Sequence, residues 1–361
     1  MPTVAFQGVT GAYSESAIYQ FFGADTQTFP CRTLEGIFEA VETGRANLGL
    51  LPVENALAGS LPRAYELLME RDLRIRAEVI MRVQHTLMAA PGVKLAGLKR
   101  VRSTPLSLNQ CEKFIARYGL EQIPASDTAS SARDLAAQPE ADLGVIASKL
   151  AAQIYKLDIL EEDIEDAAFN YTRFFVLGSE DPPRAQRSKT SLIFSARHLP
   201  GSLYHCLGEF AERNINLTKI ESRPRRNRPW QYLFYLDFEG HWQDPAAEAA
   251  LLGLLRRAGF VKMLGSYPMA TTPHPEEGKS GEMEEWKLGE TDQPSNLPTF
   301  QPSTLPFFQS SMLSLFHQLP QPVRAQRNLQ YFNTHIRQGI FYRLGKQRTN
   351  RYGARFAGAF D

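Results

Sequence analysis

The sequence predicts an α/β protein in three parts: a sheet domain over residues 1–179, a smaller βαββαβ unit of ferredoxin-like order over 189–268, and a polar extension over 271–361. Three observations predict it. Short apolar runs alternate with helix-spaced apolar residues from Val4 to Leu177. Between Glu180 and Lys189, Asp181-Pro182-Pro183 and clustered Arg and Lys break all apolar periodicity. From Thr271 onward the apolar residues thin out, and prolines recur at 294, 298, 302, 306, 320 and 322.

Taken in order, Val4 to Phe6 reads as a short buried strand ending at Gly8 and Gly11, after which Ser14 caps a helix that turns Ala17, Ile18, Phe21 and Phe22 inward. A second helix follows from Thr33. Its Leu34, Ile37, Phe38 and Val41 share one face, and Gly44 stops it. Leu48 to Val53 is another apolar strand, leading through Glu54-Asn55 to a helix opened by Ser60 and Pro62. Ile75, Ala77, Val79, Met81 and Val83 alternate as a strand should. Leu108, Cys111, Ile115 and Tyr118 then return to helical spacing before Gly119. Leu143 to Ala147 is a strand, the segment to Tyr155 a helix, and Thr172 to Leu177 a strand. This succession puts ligand-binding loops at the carboxyl ends of strands.

Beyond the break, Ser191 to Ala196 reads as a strand, Gly201 to Arg213 as a helix, and Leu217 to Ser222 and Trp230 to Phe238 as strands. A helix rich in Ala and Leu from Pro245 to Arg257 and a strand from Phe260 to Tyr267 complete the unit. A domain of about 80 residues buries little core alone and often pairs with a copy of itself, so a homodimer or homotetramer is expected. The extension from Thr271 buries too little apolar surface to offset chain entropy, which predicts disorder. Its last stretch, 324–361, holds seven arginines and one lysine against a single acid, with Tyr331, Phe332 and other aromatics between them. That stretch is either an inert terminus or a site for nucleic acid or an acidic partner.

Among 361 residues, 40 basic side chains nearly cancel 39 acidic ones, and no basic face shows in the first two thirds, which argues against a nucleic-acid-binding body and for a small-molecule role. Cys31, Cys111 and Cys206 are too few and too far apart for a disulfide framework or paired metal ligands, so no metal is expected. Met1-Pro2-Thr3 lacks the charged and apolar regions of an export signal, and no run of 18 apolar residues occurs. The expected location is therefore the cytoplasm, with no membrane partner.

Three segments carry the chemistry. In Gly8-Val9-Thr10-Gly11-Ala12-Tyr13-Ser14, glycines between a strand and a helix let backbone N–H groups approach an anion, although two glycines in a turn are as often plain turn chemistry. Leu51-Pro52-Val53-Glu54-Asn55-Ala56-Leu57-Ala58-Gly59-Ser60 adds an Asn and a Ser at another strand end. Asn170-Tyr171-Thr172-Arg173-Phe174 offers a hydroxyl and a fixed cation at the entrance of a strand, a pair that in isolation is more commonly an edge Thr beside a solvated Arg. His85 and His198 lack a partner motif and read as packing or surface groups.

Together these segments resemble the prephenate dehydratase family, in the family's order from Val4 to about Tyr267. The resemblance rests on Gly-x-x-Gly-x-Tyr-Ser at 8–14, Pro-Val-Glu-Asn at 52–55 and Asn-x-Thr-Arg-Phe at 170–174, with Gly201-Ser202-Leu203 and Glu221-Ser222-Arg223-Pro224 in the second unit. It implies a two-lobed, periplasmic-binding-protein-like catalytic domain followed by an ACT regulatory domain. It further implies decarboxylative dehydration of prephenate to phenylpyruvate without a cofactor. Thr172 would be the donor to the departing hydroxyl, Arg173 the partner of a carboxylate and Phe174 the third residue of the catalytic motif, with Gly11, Tyr13, Ser14, Asn55 and Ser60 contacting substrate. Gly201, Ser202, Leu203, Glu221, Ser222, Arg223 and Pro224 would hold a phenylalanine effector between subunits. Ala12, Ala56 and Thr104-Pro105-Leu106 depart from the family's usual residues and leave prephenate and arogenate both open as substrates. A binding protein without turnover is the competing expectation from another class.

Overall fold

A computed structural model describes residues 1–225 and 231–270. The expectations for the extension over 271–361 and for Trp230 lie outside the described residues. The first part of the chain runs β1 (Thr3–Gln7), α1 (Tyr13–Phe22), β2 (Gln27–Cys31), α2 (Leu34–Glu42), β3 (Leu48–Asn55), β4 (Gly59–Ser60), α3 (Pro62–Glu70) and β5 (Arg74–Arg82). A second group follows: β6 (Thr86–Ala89), β7 (Arg100–Ser103), α4 (Pro105–Gln110), α5 (Glu112–Arg117), β8 (Glu121–Pro124), α6 (Thr128–Ala137), β9 (Leu143–Ala147), α7 (Lys149–Tyr155) and β10 (Asp158–Glu161). The chain then returns through β11 (Tyr171–Gly178) and ends in β12 (Ser188–Ser195), α8 (Ser202–Ala211), β13 (Leu217–Pro224), β14 (Tyr232–Glu239), α9 (Pro245–Arg257) and β15 (Phe260–Pro268).

Three sheets result. The first has the order β2-β1-β3-β11-β5 with β4 on β3, the second β10-β6-β9-β7-β8, and the third β13-β14-β12-β15. The first two are joined by two crossings, after β5 and before β11, and these lie side by side: the Val83 N–H donates to the Asn170 carbonyl at 2.7 Å. One face of the first sheet, with Leu50, Val79, Phe174 and Val176, packs against α1 and against Val145, Ala147 and Ala151 of the second group. The other face, with Leu51, Phe175 and Leu177, packs against α2, α3 and the third sheet's Ile193, Tyr235, Leu264 and Tyr267. The third sheet's far side is covered by α8 and α9. Alternation along β11 therefore decides which residues face the second sheet and which face the third.

An irregularity in pairing sharpens that division. Opposite β11, Arg173 pairs with Glu54 but Phe174 pairs with Pro52, which leaves Val53 as an extra residue in β3. Such a bulge re-aims the side chains beyond it. Leu51 and Val53 share the core toward the third sheet; under unbroken alternation Asn55 would follow them to that side. Instead Asn55 stands beside Thr172, its pairing partner.

Several local expectations hold for visible reasons. The Thr33 side chain caps α2, accepting from the Gly36 N–H at 3.2 Å, and Pro62 and Pro245 stand in the first turns of α3 and α9. Others need correction. Ser14 does not cap α1: the cap position is Ala12, and the Glu15 carboxylate reaches back to the Gly11 N–H at 2.6 Å. Ser60 does not open α3 but pairs with Glu54 in β4. Phe21 is 46% exposed at the end of α1, edge-on to Phe22. The helix expected through Cys111 is broken there into α4 and α5. Among the described residues, no helix is long and apolar enough to cross a membrane.

Candidate active site

Thr172 and Asn55 anchor the site, and backbone geometry fixes how they are oriented. The N–H groups of Leu57 and Ala58 donate to Asn55 Oδ1 at 3.1 and 2.9 Å, so the amide nitrogen must point the other way. Asn55 Nδ2 then donates to Asn170 Oδ1 at 2.9 Å and to Thr172 Oγ1 at 3.1 Å. With its oxygen so occupied, Asn170 turns Nδ2 to Gln110 Oε1 at 3.1 Å. That same oxygen lies 2.8 Å from His85 Nε2, and His85 Nδ1 lies 2.7 Å from the Tyr13 hydroxyl. An amide oxygen only accepts, so Nε2 carries the imidazole proton and Nδ1 accepts from Tyr13. One continuous chain thus links two backbone amides to Tyr13, and its two arms meet at Gln110 Oε1, to which both donate. Thr172 is a branch of it whose oxygen accepts and whose hydroxyl proton is left to donate elsewhere.

The chain spans both lobes, and its members are neutral. Tyr13 and Asn55 belong to the first lobe, Gln110 to α4 of the second, and His85 and Asn170 to the two crossings. Burial pushes the His85 imidazole below its ordinary value, against the opposing pull of Gln110 and Glu165. Burial, with help from Cys111 and Glu165, pushes the Tyr13 phenol well above its own. The lobes also touch at the glycine turn: Ser148 Oγ donates to the Gly11 carbonyl at 2.5 Å, and the Tyr155 hydroxyl to the Thr10 carbonyl at 2.7 Å. Gly11 has φ +92°, and a Cβ there would meet the Ala151 Cα at 3.0 Å. Gly11→Ala is therefore expected to hold the lobes apart and to cost about 1–2 kcal/mol in backbone strain alone. A lowered melting temperature together with weaker ligand binding would show it; an unchanged melt would not fit this contact.

The expected residues divide by the face they occupy. Thr172, Asn55 and Tyr13 come together, and Ser14 stands next to Tyr13 with a half-buried hydroxyl that makes no hydrogen bond among the described residues. Gly11 is near them but offers no free amide, because its N–H serves Glu15 and its carbonyl serves Ser148. Phe174 is 2% exposed in the core between the first two sheets, so it packs rather than touches a ligand. Arg173 requires the largest correction. It points to the opposite face of β11, where Nε and Nη2 lie 2.9 and 2.7 Å from Glu78 Oε2 and Nη1 lies 2.8 Å from Asp237 Oδ2. A guanidinium so engaged is not available to a substrate carboxylate. Ser60 is corrected likewise: it donates to Glu221 Oε2 at 2.6 Å on the side of the third sheet.

In the third sheet, Gly201, Ser202 and Leu203 line a cavity of about 680 Å³ together with His198, Arg225 and Tyr232. Glu221 and Arg223 face away from it, toward the first lobe. Glu221 accepts from Ser60 and pairs with Lys219 and Arg223, while Arg223 lies over the Tyr65 ring. Ser222 and Pro224, on the alternate face of β13, are exposed. Among the described residues no group of three or more His, Cys, Asp and Glu is placed to hold a metal. Sequence reasoning missed His85, Gln110 and the side-chain role of Asn170. Asn170 lay inside a quoted segment, but nothing local marks the other two.

Comparison with known proteins follows the same residues. The family model described as prephenate dehydratase matches residues 4–182. Arogenate dehydratase/prephenate dehydratase 1, chloroplastic, of Arabidopsis thaliana is 43% identical over 282 residues, covering 74% of this chain and 72% of its own. The bifunctional chorismate mutase/prephenate dehydratase of Aquifex aeolicus is 35% identical, with 74% of each chain covered. Among solved structures, prephenate dehydratase from Arthrobacter aurescens in complex with L-Phe matches with TM-score 0.68 and 31% identity, over 75% of this chain and 93% of that one. GqqA, described as a novel type of quorum quenching acylase, matches with TM-score 0.70 and 35% identity, over 74% and 98%. The expected cytoplasmic location is overturned by the relatives: the Arabidopsis thaliana protein above and a second one, 43% identical over 280 residues, are both named chloroplastic.

Proposed function

This chain belongs to the prephenate dehydratase family, and we propose that its cleft carries out that family's decarboxylative dehydration of prephenate to phenylpyruvate in phenylalanine biosynthesis. The ring carboxylate leaves as carbon dioxide, its bonding electron pair enters the ring, and the ring C–O bond breaks. The departing hydroxide takes up a proton and leaves as water, and aromatisation drives the step. What the protein must supply is a donor aimed at the leaving oxygen, whose hydrogen bond strengthens as negative charge develops. The observation that carries the reading is the half-buried Thr172 on the face of β11 shared with Asn55, its oxygen accepting from Asn55 and its proton without an acceptor among the described residues. Ser14 and the turn beside it meet the substrate carboxylates, since Arg173 is committed elsewhere.

The plant relatives favour a second substrate. Proteins named arogenate dehydratase, such as that of Petunia hybrida at 43% identity, have the same similarity to this chain as those with both names. Incubating the protein with prephenate and with arogenate, and following phenylpyruvate and phenylalanine separately, tests both substrates. Failure to consume either one sinks the enzymatic reading and leaves a carboxylate-binding protein.

We take residues 1–179 as the catalytic domain and 189–268 as an ACT-type regulatory domain that pairs with a second copy through its open edge strand, β13. Support comes from the L-Phe complex of the Arthrobacter aurescens relative and from the cavity beside Gly201. With the Glu221 and Arg223 side chains engaged inside their own chain, phenylalanine meets the Gly201 turn of one subunit and Ser222 or the backbone of its segment in the other. Saturating phenylalanine is expected to bind and to lower the rate. Calorimetry and initial rates that register neither effect would remove the regulatory role.

A further inference from the structure

We propose that His85 is a positioning residue, held as the Nε2–H tautomer, which joins the two lobes and so keeps Thr172 in donor geometry. Every polar group of this residue is committed. Its N–H donates to Glu165 Oε2 at 2.8 Å and its carbonyl accepts from the Ile164 N–H at 3.2 Å, which pins the backbone of the first crossing. Its ring reaches Tyr13 on α1 with one nitrogen and Gln110 on α4 with the other, while only 1% of the residue is exposed. The Tyr13 and His85 rings meet edge to face with centroids 5.5 Å apart.

The consequence for Thr172 follows through Gln110. Gln110 Oε1 is a shared acceptor for His85 and Asn170, so losing the His85 donor frees α4 to shift and lets Asn170 relax away from Asn55. A displacement on the scale of an ångström at a reacting group can cost about 10²-fold in rate. Protonating His85 would break the other arm. A proton on Nδ1 would confront the Tyr13 O–H, and that hydroxyl would have to turn its own proton away. The titratable groups that act on the ring are Tyr13 on α1 and Glu165 after β10, which is paired with Arg82, while Cys111, between α4 and α5, acts on Tyr13.

This inference rests on the dehydratase reading, so turnover by the unaltered protein is measured first; if there is none, that reading fails and the tautomer measurement below still tests His85. His85→Gln retains an N–H near the position of Nε2 but loses the acceptor for Tyr13, whereas His85→Asn retains an acceptor near Nδ1 and loses the donor to Gln110. The Gln variant is expected to keep kcat within about tenfold, and the Asn variant to lose about 10²-fold in kcat with KM little changed. An Asn variant as active as the Gln variant overturns the proposal. If the variants fail to fold, nitrogen NMR of the histidine-labelled native chain decides. A bare Nδ1 beside a protonated Nε2 at neutral pH supports the proposal, and a protonated Nδ1 overturns it.

Discussion

Thr172→Ala is expected to lower turnover by about 10²-fold or more, the scale of removing one donor from a developing oxyanion. The fold should survive the change, because Asn55 Nδ2 keeps Asn170 Oδ1 and the Tyr171 carbonyl as acceptors when the threonine oxygen is gone. KM should move little, since the interaction is made mainly in the transition state. Thr172→Ser restores a hydroxyl on the same carbon and should recover most of the rate, and Thr172→Val, which keeps the shape, should not. Steady-state kinetics on the three variants decides the matter. Equal rates for Ala, Val and native protein would take the hydroxyl out of the mechanism.

Arg173→Met is expected to act on stability before it acts on substrate. The guanidinium is shared by Glu78 and Asp237 and lies 4.7 Å over the Phe175 ring. Its removal strands the buried Asp237 carboxylate without a cation and leaves Glu78 to Lys189 alone, and breaking a buried pair in this way typically costs about 3–5 kcal/mol. For a protein of this size that corresponds to a fall in melting temperature on the order of 10 °C. The pH dependence has a definite sign. Burial pushes the Glu78 carboxyl upward, but Arg173 and Lys189 outweigh it and hold the group below its ordinary value of 4.5. A depressed folded value means that the contribution is in place above the unfolded value and is lost as pH falls through the folded one. Without Arg173 burial is opposed mainly by Lys189, so the acid limb of the stability curve should move to higher pH. Thermal melts between about pH 3 and 7 would show this. A variant with native melting behaviour and a raised KM would instead return Arg173 to the substrate.

How much of this was legible in the sequence depended on whether a signal was local. Strands with unbroken apolar runs, such as β3, β9 and β11, announce themselves, as does α2 with its capped end and its stripe of Leu34, Ile37, Phe38 and Val41. β2 and β8 give no such signal: each is an edge strand that carries a proline, Pro30 and Pro124, where a missing N–H is tolerated. α6 is mostly Ser, Thr and Ala, with Leu135 its single large apolar residue, and its one clear marker is the Asp127 cap. The motifs point to β11, yet residue order cannot say which of its side chains share a face with Asn55. Arg173 was expected to bind substrate because it adjoins Thr172, and adjacency in a strand places it on the other face. His85 was set aside because its partners, Tyr13 and Gln110, lie 72 and 25 residues away.

The position of Asn55 depends on the extra residue at Val53. Were strict two-residue alternation to run on through Val53, Glu54 and Asn55, inside and outside would exchange over the last two: an acid would enter the space beside Thr172, and the amide that steers Thr172 would be turned toward the neighbouring sheet. Loss of Val53 itself is the milder change, because Glu54 would still stand opposite Arg173 and Asn55 opposite Thr172 in a regular ladder.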